Sequence, residues 1–178
     1  MKIISISNQK GGVGKTTTAV NLAQAIAATN RKTLLIDLDP QGNASTASGA
    51  TKSNSLFETT LGKHASELIQ TSSNQYDVLA GGEDLVALEV ALRNNPTKGH
   101  IAKSLKELDY DFVFIDTPPS LNSLTLDALI SSDGTLIPLQ CEYYSLEGIT
   151  SLVNTINELT NSGLTINKIF GIIRTMAV

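Results

Sequence analysis

At 178 residues the chain has single-domain length, long enough to bury roughly 70% of its unfolded surface. A hydrophobic content of 41% and a net charge of −4, from 13 Lys+Arg against 17 Asp+Glu, exclude a disordered polyelectrolyte and give no support to a dedicated basic nucleic-acid module. The lone cysteine, Cys141, excludes an intramolecular disulfide framework, and no apolar run reaches bilayer length, so a cytoplasmic setting without membrane attachment is expected.

In chain order, the apolar run 2–7 predicts a strand buried on both faces. It leads into Asn8-Gln9-Lys10-Gly11-Gly12-Val13-Gly14-Lys15-Thr16-Thr17-Thr18, and residues 16–29 then read as a helix with Val20, Ala23 and Ala27 on one stripe, Leu22 and Ile26 beside it, and Asn30 as its stop. Strand, glycine-rich turn and helix start form the context of a phosphate-binding loop. The glycines let backbone amides approach a phosphate closely, and the helix adds its unsatisfied N-terminal donors. In this pattern Lys15 supplies a point charge to the β and γ phosphates, and the Thr16 hydroxyl suits Mg²⁺. Gln9 stands where the general pattern has its first glycine. Lys10 has two readings, a solvated loop lysine or a second phosphate ligand.

Residues 33–36 predict a second strand that carries Asp37 and Asp39 to its C-terminal end, where open α/β sheets bind ligands. Either the two carboxylates serve a nucleotide site or they cap the following turn. Residues 43–55 read as a small, polar surface loop or weak helix, and 56–70 as short helical pieces. A third strand is predicted at 76–79, and a helix at 83–92 carries Leu85, Leu88 and Leu92 and breaks at Asn94-Asn95-Pro96. After another helix at 98–108 comes the strongest buried-strand signal, Phe112-Val113-Phe114-Ile115, which ends on Asp116 before Thr117-Pro118-Pro119. Helix 122–131, strand 135–139, helix 145–161 and strand 166–174 complete the alternation. The pattern predicts an α/β fold: a three-layer, mainly parallel, doubly wound sheet of the P-loop NTPase type, in one domain spanning 1–178. His64, His100 and Cys141 are too few for a zinc site of the usual kind, and Cys141 reads as a small packed residue.

The loop Lys10-Gly11-Gly12-Val13-Gly14-Lys15-Thr16-Thr17 resembles the deviant Walker A loop of the ParA/Soj/MinD family of P-loop ATPases. Three further blocks match in order: Leu34-Leu35-Ile36-Asp37-Leu38-Asp39-Pro40-Gln41-Gly42-Asn43, Phe112-Val113-Phe114-Ile115-Asp116-Thr117-Pro118-Pro119-Ser120, and Cys141-Glu142-Tyr143-Tyr144-Ser145-Leu146-Glu147-Gly148. The last is similar to the chromosome and plasmid partition members rather than the MinD branch.

The resemblance implies a Mg²⁺-dependent ATPase, slow and stimulated by a partner, with ATP held by residues 10–17. It implies Lys10, Lys15 and Asp39 as catalytic residues, Asp39 orienting the attacking water. Lys10 would reach the nucleotide of a second subunit, and Thr16 and Asp116 would serve the metal, Asp116 through a bound water. Asp37 would support the metal shell or the loop, and 117–120 would form a second switch. It further implies an ATP-dependent homodimer and a ParB-like partner. Non-specific DNA contact is carried by the resemblance alone, against the acidic charge and without the family's usual C-terminal part. Two alternatives stay open: a nucleotide switch that binds a protein partner with little hydrolysis, and a metabolic ATP-dependent enzyme on the same fold, such as a dethiobiotin synthetase-like ligase.

Overall fold

In the computed structural model, the structure describes residues 1–52, 56–94, 99–141 and 145–176. Among the described residues, seven strands form one sheet: β1 (Lys2–Ile6), β2 (Thr33–Asp37), β3 (Ile69–Thr71), β4 (Asp77–Leu79), β5 (Phe112–Asp116), β6 (Gly134–Gln140) and β7 (Lys168–Thr175). Their order is β3-β4-β2-β5-β1-β6-β7, parallel throughout except for β3, which runs antiparallel to β4. The helices are α1 (Lys15–Ala27), α2 (Asn43–Ala47), α3 (Leu85–Asn94), α4 (His100–Ser104), α5 (Ser123–Ser131) and α6 (Ser145–Asn161).

The near-continuous apolar runs of β1, β2 and β5 follow from cover on both faces, since each strand sends alternate side chains to opposite layers. Ile3, Leu34, Ile36, Val113 and Ile115 pack with Leu85, Leu88 and Leu92 of α3, Ile101 of α4 and Leu124 and Ala128 of α5. Ile4, Ile6, Leu35 and Phe114 pack on the other face with Ala19, Ala23 and Ala27 of α1. Leu152 and Ile156 of α6 join Leu129 and Ile137 in a third apolar cluster. The result is the three-layer, mainly parallel sheet that the alternation of strands and helices predicts.

The six predicted strands are all present. The seventh, β3, begins at the end of the stretch 56–70 read as short helical pieces; two 3-10 turns, Leu56–Leu61 and Ala65–Glu67, do occupy most of that stretch. Three residues are too few for a period to show, and antiparallel pairing with β4 makes them a strand. The helix predicted over 98–108 shrinks to α4, opened by Gly99 at φ 71°. On α1 the buried apolar positions are Ala19, Ala23 and Ala27, with Val20 half-buried, because small residues let the helix lie close on the sheet. Cys141 is exposed rather than packed, with the Arg174 Nε–H donating to its Sγ at 3.3 Å, since β6 has ended and the chain is leaving the sheet. Glu142, Tyr143 and Tyr144 lie outside the described residues.

Candidate nucleotide site

Register brings the key residues together. Asp116 of β5 aligns with Ile6 of β1 on one side and Asp37 of β2 on the other, so two buried carboxylates and the start of the glycine loop share one end of the sheet. The β1–β6 ladder stops at Ile6 and Leu136, after which the Ser7 N–H donates to the Leu136 carbonyl. Asn8 then splices the loop to the sheet: its Nδ2 donates to the Pro138 carbonyl at 2.7 Å and its Oδ1 accepts the Lys10 N–H at 3.0 Å. Gly12 and Gly14 take φ 74° and 87°, a conformation costly for any residue with a Cβ. Gly14 is the N-cap of α1 and offers no side-chain cap, so the first amides of that helix face the cleft without a competing acceptor.

The cleft has a volume of ≈ 450 Å³ and is lined by Gly11, Gly12, Gly14, Lys15, Thr16 and Thr17 on the loop side and by Asp39, Gln41, Asn43, Pro119 and Met176 opposite. Val13 is fully buried and anchors the loop from below instead of lining the cleft. Lys15 is 7% exposed, and its Nζ donates to the Lys10 carbonyl at 3.0 Å. Burial pulls its pKa down, and the charges of Asp116 and Asp39 partly offset that. Lys10 is half-buried beside the loop and does not line the cleft of its own chain.

Thr16 Oγ1 donates to Asp116 Oδ2 at 2.7 Å. Asp116 Oδ1 is buried with no hydrogen-bond partner among the described residues. Burial, with the neighbouring charges of Asp37 and Asp39, pushes the Asp116 carboxyl up to about 7, despite the opposing Thr16 bond and Lys15 charge. An orphaned acceptor beside a hydroxyl and a glycine cradle is a donor set that fits Mg²⁺ and phosphate. Among the described residues no group of three or more His, Cys, Asp and Glu surrounds a metal, so the rest of a magnesium shell would come from phosphate oxygens and water.

The carboxylate that ends β2 and the one two residues beyond it separate in their bonding. Asp37 Oδ2 accepts the N–H and Oγ–H of Ser45 at 2.8 and 2.7 Å, and its Oδ1 accepts the Asp39 N–H at 3.1 Å. Its bonding is spent on the loop and on α2, and burial raises its pKa. Ser45 Oγ in turn accepts the Gly81 N–H at 2.8 Å. Asp39 is half-buried on the cleft wall, with Oδ1 accepting the Gln41 N–H at 2.9 Å. Thr117 Oγ1 donates to the Ile6 carbonyl at 3.0 Å, tying the start of 117–120 to the strand that feeds the loop.

Gln41 and Asn43 fall inside the recognised block that ends at Asn43, whereas Ser45, two residues beyond it, carried no mark of its own. Gly81 and Met176 lie 42 and 137 residues from Asp39 and were unreadable without the fold. A second cavity, ≈ 400 Å³, contains both His64 and His100 among its lining residues but has no glycine loop and no buried carboxylate pair. None of the recognised motifs contributes to it.

A family model described as an AAA domain matches residues 1–172. Over 98% of its length the chain is 46% identical to the chromosome partitioning protein ParA of Myxococcus xanthus, covering 65% of that protein. It is 40% identical to the chromosome-partitioning ATPase Soj of Thermus thermophilus, with 97% of the chain and 68% of the relative covered. This chain therefore spans about two thirds of the length of those two relatives. Among solved structures, cobyrinic acid a,c-diamide synthase from Mycobacterium smegmatis with bound ATP analog and magnesium superposes with TM-score 0.92 at 31% identity, over 98% of this chain and 74% of that one. No helix among the described residues is long and apolar enough to cross a membrane. The ordered motifs and the identity across nearly the whole chain agree: the chain belongs to the ParA/Soj family of P-loop ATPases with a deviant Walker A loop.

Proposed function

We propose that this chain is an ATP-binding and ATP-hydrolysing dimerisation switch that acts in chromosome or plasmid partition. The observation that carries the reading is the Thr16–Asp116 pair, with its orphaned carboxylate oxygen, set directly beneath the glycine loop. That arrangement has little use in a protein that binds no metal-complexed phosphate, because an unsatisfied buried carboxylate is costly.

In this reading the amides around Gly11, Gly12 and Gly14 cradle the phosphates, and Lys15 exchanges the Lys10 carbonyl for a phosphate oxygen. Thr16, and Asp116 through a bound water, would hold Mg²⁺, which would supply charge neutralisation to the phosphate oxygens when bound. Asp39, on the opposite wall, orients the attacking water. Asp37 keeps the turn and α2 in register with that wall. Lys10 reaches the nucleotide of a second copy, so hydrolysis loosens the dimer and the nucleotide serves as both substrate and glue. The partition role comes from the names of relatives, and a ParB-like partner that stimulates turnover and contact with non-specific DNA come from the family resemblance; they belong to the same proposal.

The likeness to the M. smegmatis synthase gives a second reading, a metabolic enzyme that uses ATP on the same fold. The identity to partition ATPases is higher, at 40–46%, and favours the switch. The deciding experiment is the solution mass of the chain with MgATP and with MgADP, using Asp39→Ala to slow hydrolysis. A nucleotide-dependent monomer-to-dimer shift is expected. A constant mass in every nucleotide state, with turnover that requires a small-molecule acceptor, would replace the switch by the enzyme reading.

A further inference from the structure

The glycine loop is held from outside by a residue 162 positions away in the chain. Thr175, the last residue of β7, pairs with Gln140 of β6 and is thereby fixed to the sheet. Its Oγ1 donates to the Val13 carbonyl at 2.8 Å. Its methyl lies 3.4 Å from the point where a Cβ on Gly14 would stand, so it packs against the loop as well as bonding to it. The next residue, Met176, lines the phosphate cleft.

Peptide geometry turns that contact into a statement about phosphate binding. The Val13–Gly14 peptide is planar and trans, so holding the Val13 C=O toward Thr175 aims the Gly14 N–H in the opposite direction. Val13 is pinned twice, by its fully buried side chain and by its carbonyl. Gly14 follows at φ 87°, a conformation in which a glycine without such a constraint would exchange among several others. Resting on the nucleotide-site reading above, we propose that Thr175 is a positioning residue for the phosphate loop. Its hydroxyl presets the Gly14 amide toward the phosphate before nucleotide arrives, and it links the loop to the β7 edge of the sheet.

The test separates hydroxyl from methyl. Thr175→Val keeps the packing and removes the donor, whereas Thr175→Ser keeps the donor and removes the methyl. Two readouts are taken on the full chain: hydrogen exchange of amides in peptides covering 8–18 without nucleotide, and affinity for a non-hydrolysable MgATP analogue. Loss of one such hydrogen bond predicts loop exchange faster by about threefold to tenfold and affinity weaker by a similar factor in Thr175→Val, with Thr175→Ser close to the unmodified protein. Exchange in α5 peptides should be unchanged, which a general loss of stability would not allow. Equal exchange and affinity in Thr175→Val and the unmodified protein would overturn the proposal, as would equal losses in both variants. Should the valine variant misfold, Thr175→Ser against Thr175→Ala makes the same comparison. If the unmodified chain binds no nucleotide, the switch reading falls while the exchange readout still decides the clamp.

Discussion

The centre of the sheet and its β7 edge are built on opposite terms. At the centre, Ile6, Asp116 and Asp37 end side by side, all at most 1% exposed, and most polar atoms there are committed. Asp37 alone receives three hydrogen bonds, and Gly81 approaches so closely that a Cβ on it would stand 2.7 Å from the Asp39 carbonyl and 2.8 Å from Asp37 Cγ. At the edge, β7 exposes Ile169, Phe170 and Ile172, the last at 52%. The opposite edge is β3, only three residues long and half-polar, a form that discourages pairing with another chain. Precision is concentrated where charge must be held without water, and tolerance lies where a strand has one neighbour. Thr175 is where the two regimes meet, since its side chain joins the edge strand to the central loop.

Substitutions should reproduce this contrast, and the largest effects belong to the centre. Lys15→Ala is expected to weaken MgATP binding by about 100-fold, measured by calorimetry, because a charged hydrogen bond to phosphate is lost. Asp39→Ala should retain binding within a few-fold and lower turnover roughly 100-fold or more, as removal of a residue that orients the attacking water does. Normal turnover in either variant would remove these residues from their assigned roles. Gly81→Ala, although it alters no charged group, should cost about 2–3 kcal/mol in a denaturant melt, since its Cβ meets backbone that cannot yield cheaply.

Acidity sharpens the comparison. With its carboxyl raised to about 7 in the fold, Asp116 binds a proton more tightly there than in the unfolded chain. The nucleotide-free protein should therefore lose stability as pH rises, by about 2 kcal/mol between about pH 5.5 and 7.5 from this group. Asp37 and Asp127 are also raised by burial and act in the same direction. Asp116→Asn should flatten the slope without abolishing it, and an unchanged slope would mean that Asp116 is ionised throughout. The smallest effect is expected at the edge. Ile172→Lys should change the unfolding free energy by no more than about 0.5 kcal/mol, and concentration-dependent association seen by light scattering should fall if β7 pairs with other copies.

What could be read from the sequence is explained by range. Buried parallel strands announce themselves as apolar runs, and Phe112-Val113-Phe114-Ile115 followed by Asp116 needed nothing beyond its own five residues. The phosphate loop is equally local, because its function lies in backbone conformations that only glycines at those spacings permit. β3 was missed because a three-residue strand exists only through its partner. Spacing alone does not separate Asp37 from Asp39, and their distinct roles came only from the resemblance; the Ser45 bonds, which depend on α2 folding back, made one a strut and left the other on the cleft wall.

By itself, then, the order of residues determined the strand–helix alternation, the glycine loop with Lys15 and Thr16, and the family, since each of these resides in contiguous stretches with their own physical signature. Tertiary structure alone decided which carboxylate lost its partner, which glycines had no room for a Cβ and that Thr175 holds the Val13 carbonyl. Those properties arise only when segments far apart in the chain are brought within a few ångströms. A hydrogen bond or a steric limit between them leaves no pattern in either segment alone.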